Sequence, residues 1–413
     1  AGQTLTLDVM LALAGITEAQ RVEAPAPIID VTTSAVPANL GQDLLRDLPT
    51  SLWIADLVNL VPGVSGDMAF GGTKLSNGVY VDGVDTTEPG EQGPWLRYNQ
   101  QWLQEVQVVG LGAGAEHGTS TGVSVLAVVR SGANRYSGLG EYWTTRGEWV
   151  AGNTRDLSAS LQRRFAPQEV HANWDVGGQV GGPVLVDRLW VFGGIEHRVD
   201  DRTPAGYDGP EAREEEETRA LTKLTAAAGP RWRLEGFVQG GRLRVRHQGI
   251  GPQAAPEATL FVRQPQVSWS ARALGEVSPT LLLDFRYTGY DSPQFADPMP
   301  PGTVEGPPGH YDLLTGRRSV NTLQVTALDR ARHGTRFTGT WFGWGGRGGP
   351  HELGWGLEGD WAIEGTSQEF PGGLAYYDLG GTPYRRDRLT DMPSEGTTRH
   401  FAVFLQDRWR LRD

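Results

Sequence analysis

HELGWGLEGDWAI, His351 to Ile363, is the stretch on which the reading of this chain turns. Counted by twos, one set is Leu353, Trp355, Leu357, Gly359, Trp361 and Ile363, and the other is Glu352, Gly354, Gly356, Glu358, Asp360 and Ala362. A strict period of two is a β-strand. One face is indole and aliphatic carbon; the other is glycine and three carboxylates with no basic partner in the run. A β-sandwich would bury the first face against a second sheet. A transmembrane barrel would turn it to lipid and send the polar face to an aqueous lumen. The strand alone leaves both open.

Composition narrows the choice. Glycine supplies 57 of 413 residues, roughly twice the usual share of about 7%, while the 26 prolines are ordinary. That excess points to many turns and crowded backbones, hence to an all-β protein. The net charge of -12 removes the electrostatic footprint of a nucleic-acid binder. Lys74 and Lys223 are the only lysines among 37 basic residues. With no cysteine there is no disulfide, thiolate metal site or cysteine nucleophile. The longest apolar run, Val9 to Ala14, has six residues, far from the ~20 of a membrane-spanning helix. This excludes an inner-membrane helical protein but not a barrel, whose spans are ~10 alternating residues. No initiator methionine or signal peptide stands at the start, and Ala1 to Leu13 reads as if partway through a β-rich domain.

Along the chain, a proline-bearing segment, Arg21 to Pro37, leads into Trp53, Leu57, Leu60 and Val61, whose helical spacing ends at Pro62-Gly63. VYVDGVD, Val79 to Asp85, carries a tight-turn signal at Asp82-Gly83. Strands are expected at Glu105 to Val109 and Val123 to Arg130, making Ala38 to Ser131 a small α+β unit. From Arg135 onward the texture is repeated strands: Tyr136–Thr145, Asp175–Val184, Leu189–Val199, Arg219–Ala227, the run through Trp232–Val238, Gln266–Val277, Leu281–Thr288, Ser319–Leu328, Phe337–Trp344 and Phe401–Arg410. Connections alternate between tight ones near Asp187, Gly229 and Ser278 and long ones at Thr145–Asn173, Asp200–Glu217, Arg246–Arg263, Asp291–Arg318 and Gly365–Thr397. In an up-and-down sheet alternate connections share an end, so the long loops gather on one rim and the short turns on the other. That sorting is the signature of outer-membrane barrels.

Several segments resemble one family. They are DLPTSLWIADLVNLVPGV (Asp47–Val64), NGVYVDGVD (Asn77–Asp85), the long run LQEVQVVGLGAGAEHGTSTGVSVLAVVRSGANRYSGLGEYW (Leu103–Trp143), NWDVGGQVGGPVLVDRLWVFGGIEHR (Asn173–Arg198), GGPHELGWGLE (Gly348–Glu358) and FAVFLQDRWRL (Phe401–Leu411). Together they are similar to the TonB-dependent outer-membrane transporters, in the subgroup with a carboxypeptidase-regulatory-like domain before the plug. Arg130 stands where the family often has lysine. The resemblance implies a mostly β protein in which a small α+β plug is cupped by an antiparallel transmembrane barrel. It implies the end of the regulatory-like domain and a linker at 1–35, the plug at 36–133 and the N-terminal half of the barrel at 134–413. Leu353, Trp355, Leu357, Trp361 and Ile363 would then face lipid, with Glu352, Glu358 and Asp360 facing plug and lumen.

Other motifs have plainer readings. Val106 to Ala115 matches G-x-G-x-x-A after a strand, but EHGTSTGVSV follows where a helix must begin, and Arg130 and Ser131 stand where a ribose-binding acid belongs. Asp82, Asp85 and Glu88 could offer oxygen to calcium, though a hairpin needs only Asp82-Gly83. The eight histidines lack paired spacing, so no metal, cofactor or catalytic set is expected. Loop aromatics able to stack on a ligand are Trp95, Tyr98, Tyr207, Tyr311, Tyr376, Tyr377 and Tyr384.

The resemblance implies energy-coupled import across the outer membrane of a Gram-negative bacterium by a monomeric barrel set in outer-membrane lipid. TonB is the implied partner, and the ligand is an unspecified small molecule, peptide or glycan. The coupling segment would be Thr17, Glu18, Ala19, Gln20, Arg21, Val22, Glu23 and Ala24. A non-transporting surface adhesin or a secretion-linked receptor is the alternative on the same fold. A plugged transporter has about 22 strands; about 10–11 are countable here, ten if Ser319–Trp344 holds a single strand. The expectation is an incomplete wall whose free edges are Tyr136–Thr145 and Phe401–Arg410.

Overall fold

The computed structural model describes residues 37–47, isolated positions between 54 and 76, and residues 77–409 apart from 91–92, 111–114, 116–121, 152–155, 165–167 and 345–348. The expected coupling segment, Thr17 to Ala24, lies outside the described residues, as does most of the helix expected at Trp53 to Val61. Leu57 of that stretch is described and fully buried. No described helix is long and apolar enough to cross a membrane.

The N-terminal strands are Pro37–Gly41 (β1), Val64–Ser65 (β2), Met68–Ala69 (β3), Gly78–Val81 (β4), Val84–Asp85 (β5), Leu103–Val109 (β6) and Ser124–Val129 (β7). Five of them form one mixed sheet in the order β1-β6-β7-β4-β5, with β4 and β7 parallel. Its strands form because valine recurs: Val79, Val81, Val106, Val108, Val125 and Val129 are β-branched and buried in one core with Leu103. Each contributes about 1.5–3 kcal/mol of burial. The β4–β5 turn puts Asp82 and Gly83 at φ of 46° and 81°, the left-handed pair that a two-residue hairpin requires.

The remaining strands are Ser137–Thr144 (β8), Glu169–Leu185 (β9), Leu189–Thr203 (β10), Arg213–Ala227 (β11), Trp232–Gln248 (β12), Leu260–Ser278 (β13), Leu281–Asp291 (β14), Gln294–Pro298 (β15), Gly309–Asp312 (β16), Arg318–Ser319 (β17), Val325–Trp344 (β18), Pro350–Glu369 (β19), Leu374–Leu379 (β20), Thr382–Arg388 (β21) and Met392–Trp409 (β22). Ten make a continuous antiparallel wall in the order β22-β19-β18-β14-β13-β12-β11-β10-β9-β8. β15 takes up the line of β14 between β13 and β18. β8 and β22 each have one partner among the described residues, so they are the free edges. Of the two counts left open for Ser319–Trp344, the single strand, giving ten, is the one found. β18 is one strand from Val325, while Ser319 belongs to β17 in a different sheet.

The question posed by HELGWGLEGDWAI has a direct answer in β19. Leu357 and Trp361 point out of the wall and are 43% and 42% exposed. Trp355 stands edge-on to Phe337, and Trp361 stacks on His333. The carboxylates point inward and find their partners on neighbouring strands: Glu352 with Arg408, Glu358 with Arg336, Asp360 with Arg332. The outward apolar band continues through Phe401, Val403 and Leu405 on β22, and through Phe285, Val238, Ile195 and Val180. Aromatic groups bound it above at Trp174/His197, Trp269/His333 and Trp361, and below at Trp341 and His351/Trp409. The span from His333 to Trp341 along β18 is ~20 Å at ~3.3 Å per residue and ~45° tilt, somewhat less than the ~25 Å apolar band of outer-membrane barrels. The five-stranded sheet lies against the inner face, where Phe192, Leu221, Phe237 and Tyr290 of the wall join its core.

Candidate functional site

Two inner features bear on function, the joint between plug and wall and a small sheet on the long-loop rim. The joint begins at the Asp82-Gly83 turn. Lys223 of β11, buried with 3% exposure, donates to Asp82 Oδ2 at 2.6 Å and to the Val129 carbonyl at 3.0 Å. Asp82 also accepts the Val129 amide at 3.1 Å, and its own carbonyl accepts from Ser270 Oγ at 3.0 Å. Burial pushes the Asp82 carboxyl above its ordinary pKa, and Lys223 pulls it back. Further along the same run, Asp85 is gripped by Arg332 and Glu88 by Arg330, both from β18. The three acids that could have suggested a cation site are thus each held by a cation of the wall. No group of three metal-ligating side chains is gathered among the described residues.

Trp95 and Tyr98 sit in this joint rather than in an outer loop. The Trp95 indole donates to the Ser292 carbonyl at 2.8 Å, and Tyr98, 2% exposed, has its hydroxyl 2.8 Å from Ser268 Oγ. Between them, Arg97 reaches Glu215 and Glu217 at 3.3 and 3.4 Å, and its carbonyl accepts from Gln239 and Gln266. Trp102 lies against Gly194, where an added Cβ would stand 2.5 Å from the indole nitrogen. Only a residue without a side chain leaves that path open.

On the rim, two long connections pair with each other. The four-stranded sheet runs β17-β16-β20-β21, with β16 and β20 parallel. Its register lines up Arg318, Tyr311, Tyr377 and Arg385 on one face, and Ser319, His310, Tyr376 and Arg386 on the other. Arg385 lies over the Tyr377 ring at 4.2 Å, Tyr311 meets Tyr377 edge-on at 6.4 Å, and His310 stacks on Tyr376 at 4.9 Å. Asp378 holds His310 at 2.9 Å. Asp312 ties the sheet together. Its carboxylate accepts from the Leu314 and Thr315 amides at 3.0 and 2.9 Å and from the Gly381 amide at 2.6 Å. The Thr315 and Gly381 amides hold its carboxyl down at about 2. The sheet therefore brings together Tyr311, Tyr376, Tyr377 and Tyr384, the last 67% exposed. Tyr207 is separate, bonded to Glu211 in the β10–β11 loop. Sequence reasoning missed His310, Asp312 and Arg385; the alternation in HYD and AYYDL is too short to announce a sheet.

No family model matches the chain. The chain is 25% identical over 210 residues to the TonB-dependent transporter Oar of Myxococcus xanthus, covering 47% of this chain and 19% of that protein. The solved outer-membrane transporter YddB from Escherichia coli superposes with a TM-score of 0.70 at 15% identity, over 91% of this chain and 55% of its own. The copper transporter OprC gives 0.59 at 12% identity, over 91% and 52%. BauA, the ferric preacinetobactin receptor from Acinetobacter baumannii, gives 0.57 at 13%, over 91% and 55%. The chain thus spans about half the length of these solved proteins and a fifth of the curated relative. Each is named as a transporter or a receptor. A mixed sheet docked on the inner face of an antiparallel wall has the fold of the plug and part of the barrel of these solved transporters, and the sequence relationship to Oar supports a TonB-dependent outer-membrane receptor.

Proposed function

We propose that the protein is an energy-coupled importer of the outer membrane of a Gram-negative bacterium. In this reading 1–35 is the end of a regulatory-like domain and a linker, 36–133 the plug and 134–413 the first part of a barrel that further strands complete. The barrel acts as a monomer surrounded by outer-membrane lipid. A solute docks on the aromatic rim, whose small sheet carries Tyr376 on one face and Tyr311 and Tyr377 on the other, with Tyr384 on its edge strand. A periplasm-facing segment, with Thr17–Ala24 as the candidate, pairs with TonB by strand addition. Pulling loosens the plug, and no bond is made or broken.

The observation that carries this reading is the nature of the joint. Among the described residues plug and wall share no sheet; they are held by discrete polar contacts, those of Asp82, Asp85, Glu88 and Arg97 among them, and by a few packed side chains. Such contacts break one at a time, whereas a shared β-ladder must be broken as a unit. The test begins with a glycan, peptide and siderophore binding screen, followed by uptake of the ligand found in cells with and without TonB. Uptake that needs TonB is expected. Binding with uptake indifferent to TonB would favour the adhesin or secretion-linked receptor instead.

A further inference from the structure

One row of the inner wall sets like charges side by side. Arg272 on β13 faces Arg286 on β14, and Arg286 faces Arg336 on β18, with Glu235 beyond the first and Glu358 beyond the last. Like charges directly opposite one another destabilise a sheet, so each calls for a counter-charge. Arg272 has one, since Asp284 accepts from its Nη2 at 2.6 Å and its Nε at 3.0 Å. Arg336 reaches Glu358 at 4.0 Å. Arg286 is the least provided for. Its Nη2 lies 3.7 Å from the Asp284 oxygen that Arg272 already holds, and it donates no hydrogen bond to any described residue. A guanidinium has five N–H donors to place.

Space is available beside it. Arg286 and Arg336 stand between a cavity of about 350 Å³ under the plug's Asp82-Gly83 turn and a second of about 230 Å³ bordered by Thr338 and Gln406. Most acids around the larger cavity are committed elsewhere: Asp82 to Lys223, Glu235 to Arg233 at 2.6 Å, Asp85 to Arg332. The plug closes directly onto the group, because a Cβ on Gly83 would stand 2.1 Å from Arg286 Nη1.

We propose that Arg286, flanked by Arg272 and Arg336, is an oxyanion site of the lumen, and that it takes a carboxylate or phosphate group of the solute passing beneath the plug turn. Assigning the anion to a transported solute rests on the importer reading; the site itself does not. Inorganic phosphate and citrate, titrated separately by calorimetry into the protein in detergent at constant ionic strength, should show saturable binding of at least one. Arg286→Gln should weaken it about tenfold or more, the loss of one charge-assisted hydrogen-bonding group. Arg286→Lys, which keeps the charge and carries the test if the glutamine variant folds poorly, should fall between the two. Arg263→Gln, on the outward face and paired with Asp297, should bind as the parent does. Binding of phosphate alone assigns a phosphate group, and of citrate alone a carboxylate. No saturable binding of either, or parent-like binding by Arg286→Gln, overturns the proposal. If uptake ignores TonB while Arg286-dependent binding stands, the importer reading falls and the site remains.

Discussion

Replacing Lys223 with methionine isolates the joint's best-defined contact. The substitution keeps most of the buried stem and removes the ammonium that meets Asp82 at 2.6 Å and Val129 at 3.0 Å. Breaking a buried pair from one side leaves an uncompensated charge and typically costs about 3–5 kcal/mol. Protonation sets a ceiling: from an ordinary carboxyl value near ~3.9, neutralising Asp82 at pH 7 costs about 4 kcal/mol. Burial already raises the Asp82 pKa, and Lys223→Met removes the group that opposes it. A carboxyl whose folded pKa lies above its unfolded value contributes stability that is full below about pH 4 and lost as pH rises through the folded value. The variant should therefore lose about 3–4 kcal/mol of plug stability at neutral pH and recover most of it toward pH 4. Asp82→Asn added to Lys223→Met should restore most of it at pH 7. Hydrogen exchange of the β4 and β7 amides reads the effect as a loss of roughly two to three decades in protection. Full protection at pH 7, or a deficit that grows in acid, would refute the reasoning.

Gly194→Ala places a methyl group 2.5 Å from the Trp102 indole nitrogen, so the plug's thermal transition should fall by the equivalent of about 1–3 kcal/mol while the wall's is unchanged; equal shifts would disprove a local clash. Because the Asp312 carboxyl is held down at about 2, its contribution to the rim sheet is complete above about pH 4 and lost as pH falls through about 2. Asp312→Asn should open the 309–319 and 374–388 segments to protease at neutral pH, and parent-like resistance would remove Asp312 from its central place. Tyr376→Ala, which unstacks His310, should weaken binding of the screened ligand about tenfold, on the scale of ~1 kcal/mol for an aromatic pair plus lost ligand contact; unchanged affinity would move the ligand off that face.

Much of this architecture is legible in short-range pattern. Alternation in Leu281–Tyr287 and Leu353–Ile363 sets the faces, and the sorting of long and short connections sets the up-and-down order. What was illegible has a physical reason in each case. β9 begins at Glu169 and β22 at Met392, well before the expected Asp175 and Phe401, because above the aromatic belt both faces of a strand meet polar surroundings and alternation vanishes. The rim sheet joins Gly309–Asp312 to Leu374–Leu379 in parallel, a pairing with no local signal. Asp85 and Glu88 read as turn residues because Arg332 and Arg330 lie more than two hundred positions away. Trp95 and Tyr98 read as loop aromatics because their segment lacks strand periodicity; the barrel wall, not a neighbouring strand, buries them.

The measurement that bears most directly on the importer account locks the plug in place. Ser131 Oγ and Thr225 Oγ1 face each other across the joint at 3.4 Å, and the chain has no cysteine to compete, so Ser131→Cys with Thr225→Cys gives one unambiguous cross-link between plug and wall. With the disulfide formed, the ligand found in the screen should bind with unchanged affinity, its TonB-dependent uptake should stop, and dithiothreitol should restore it. Undiminished uptake through a fully oxidised, cross-linked protein would contradict the account.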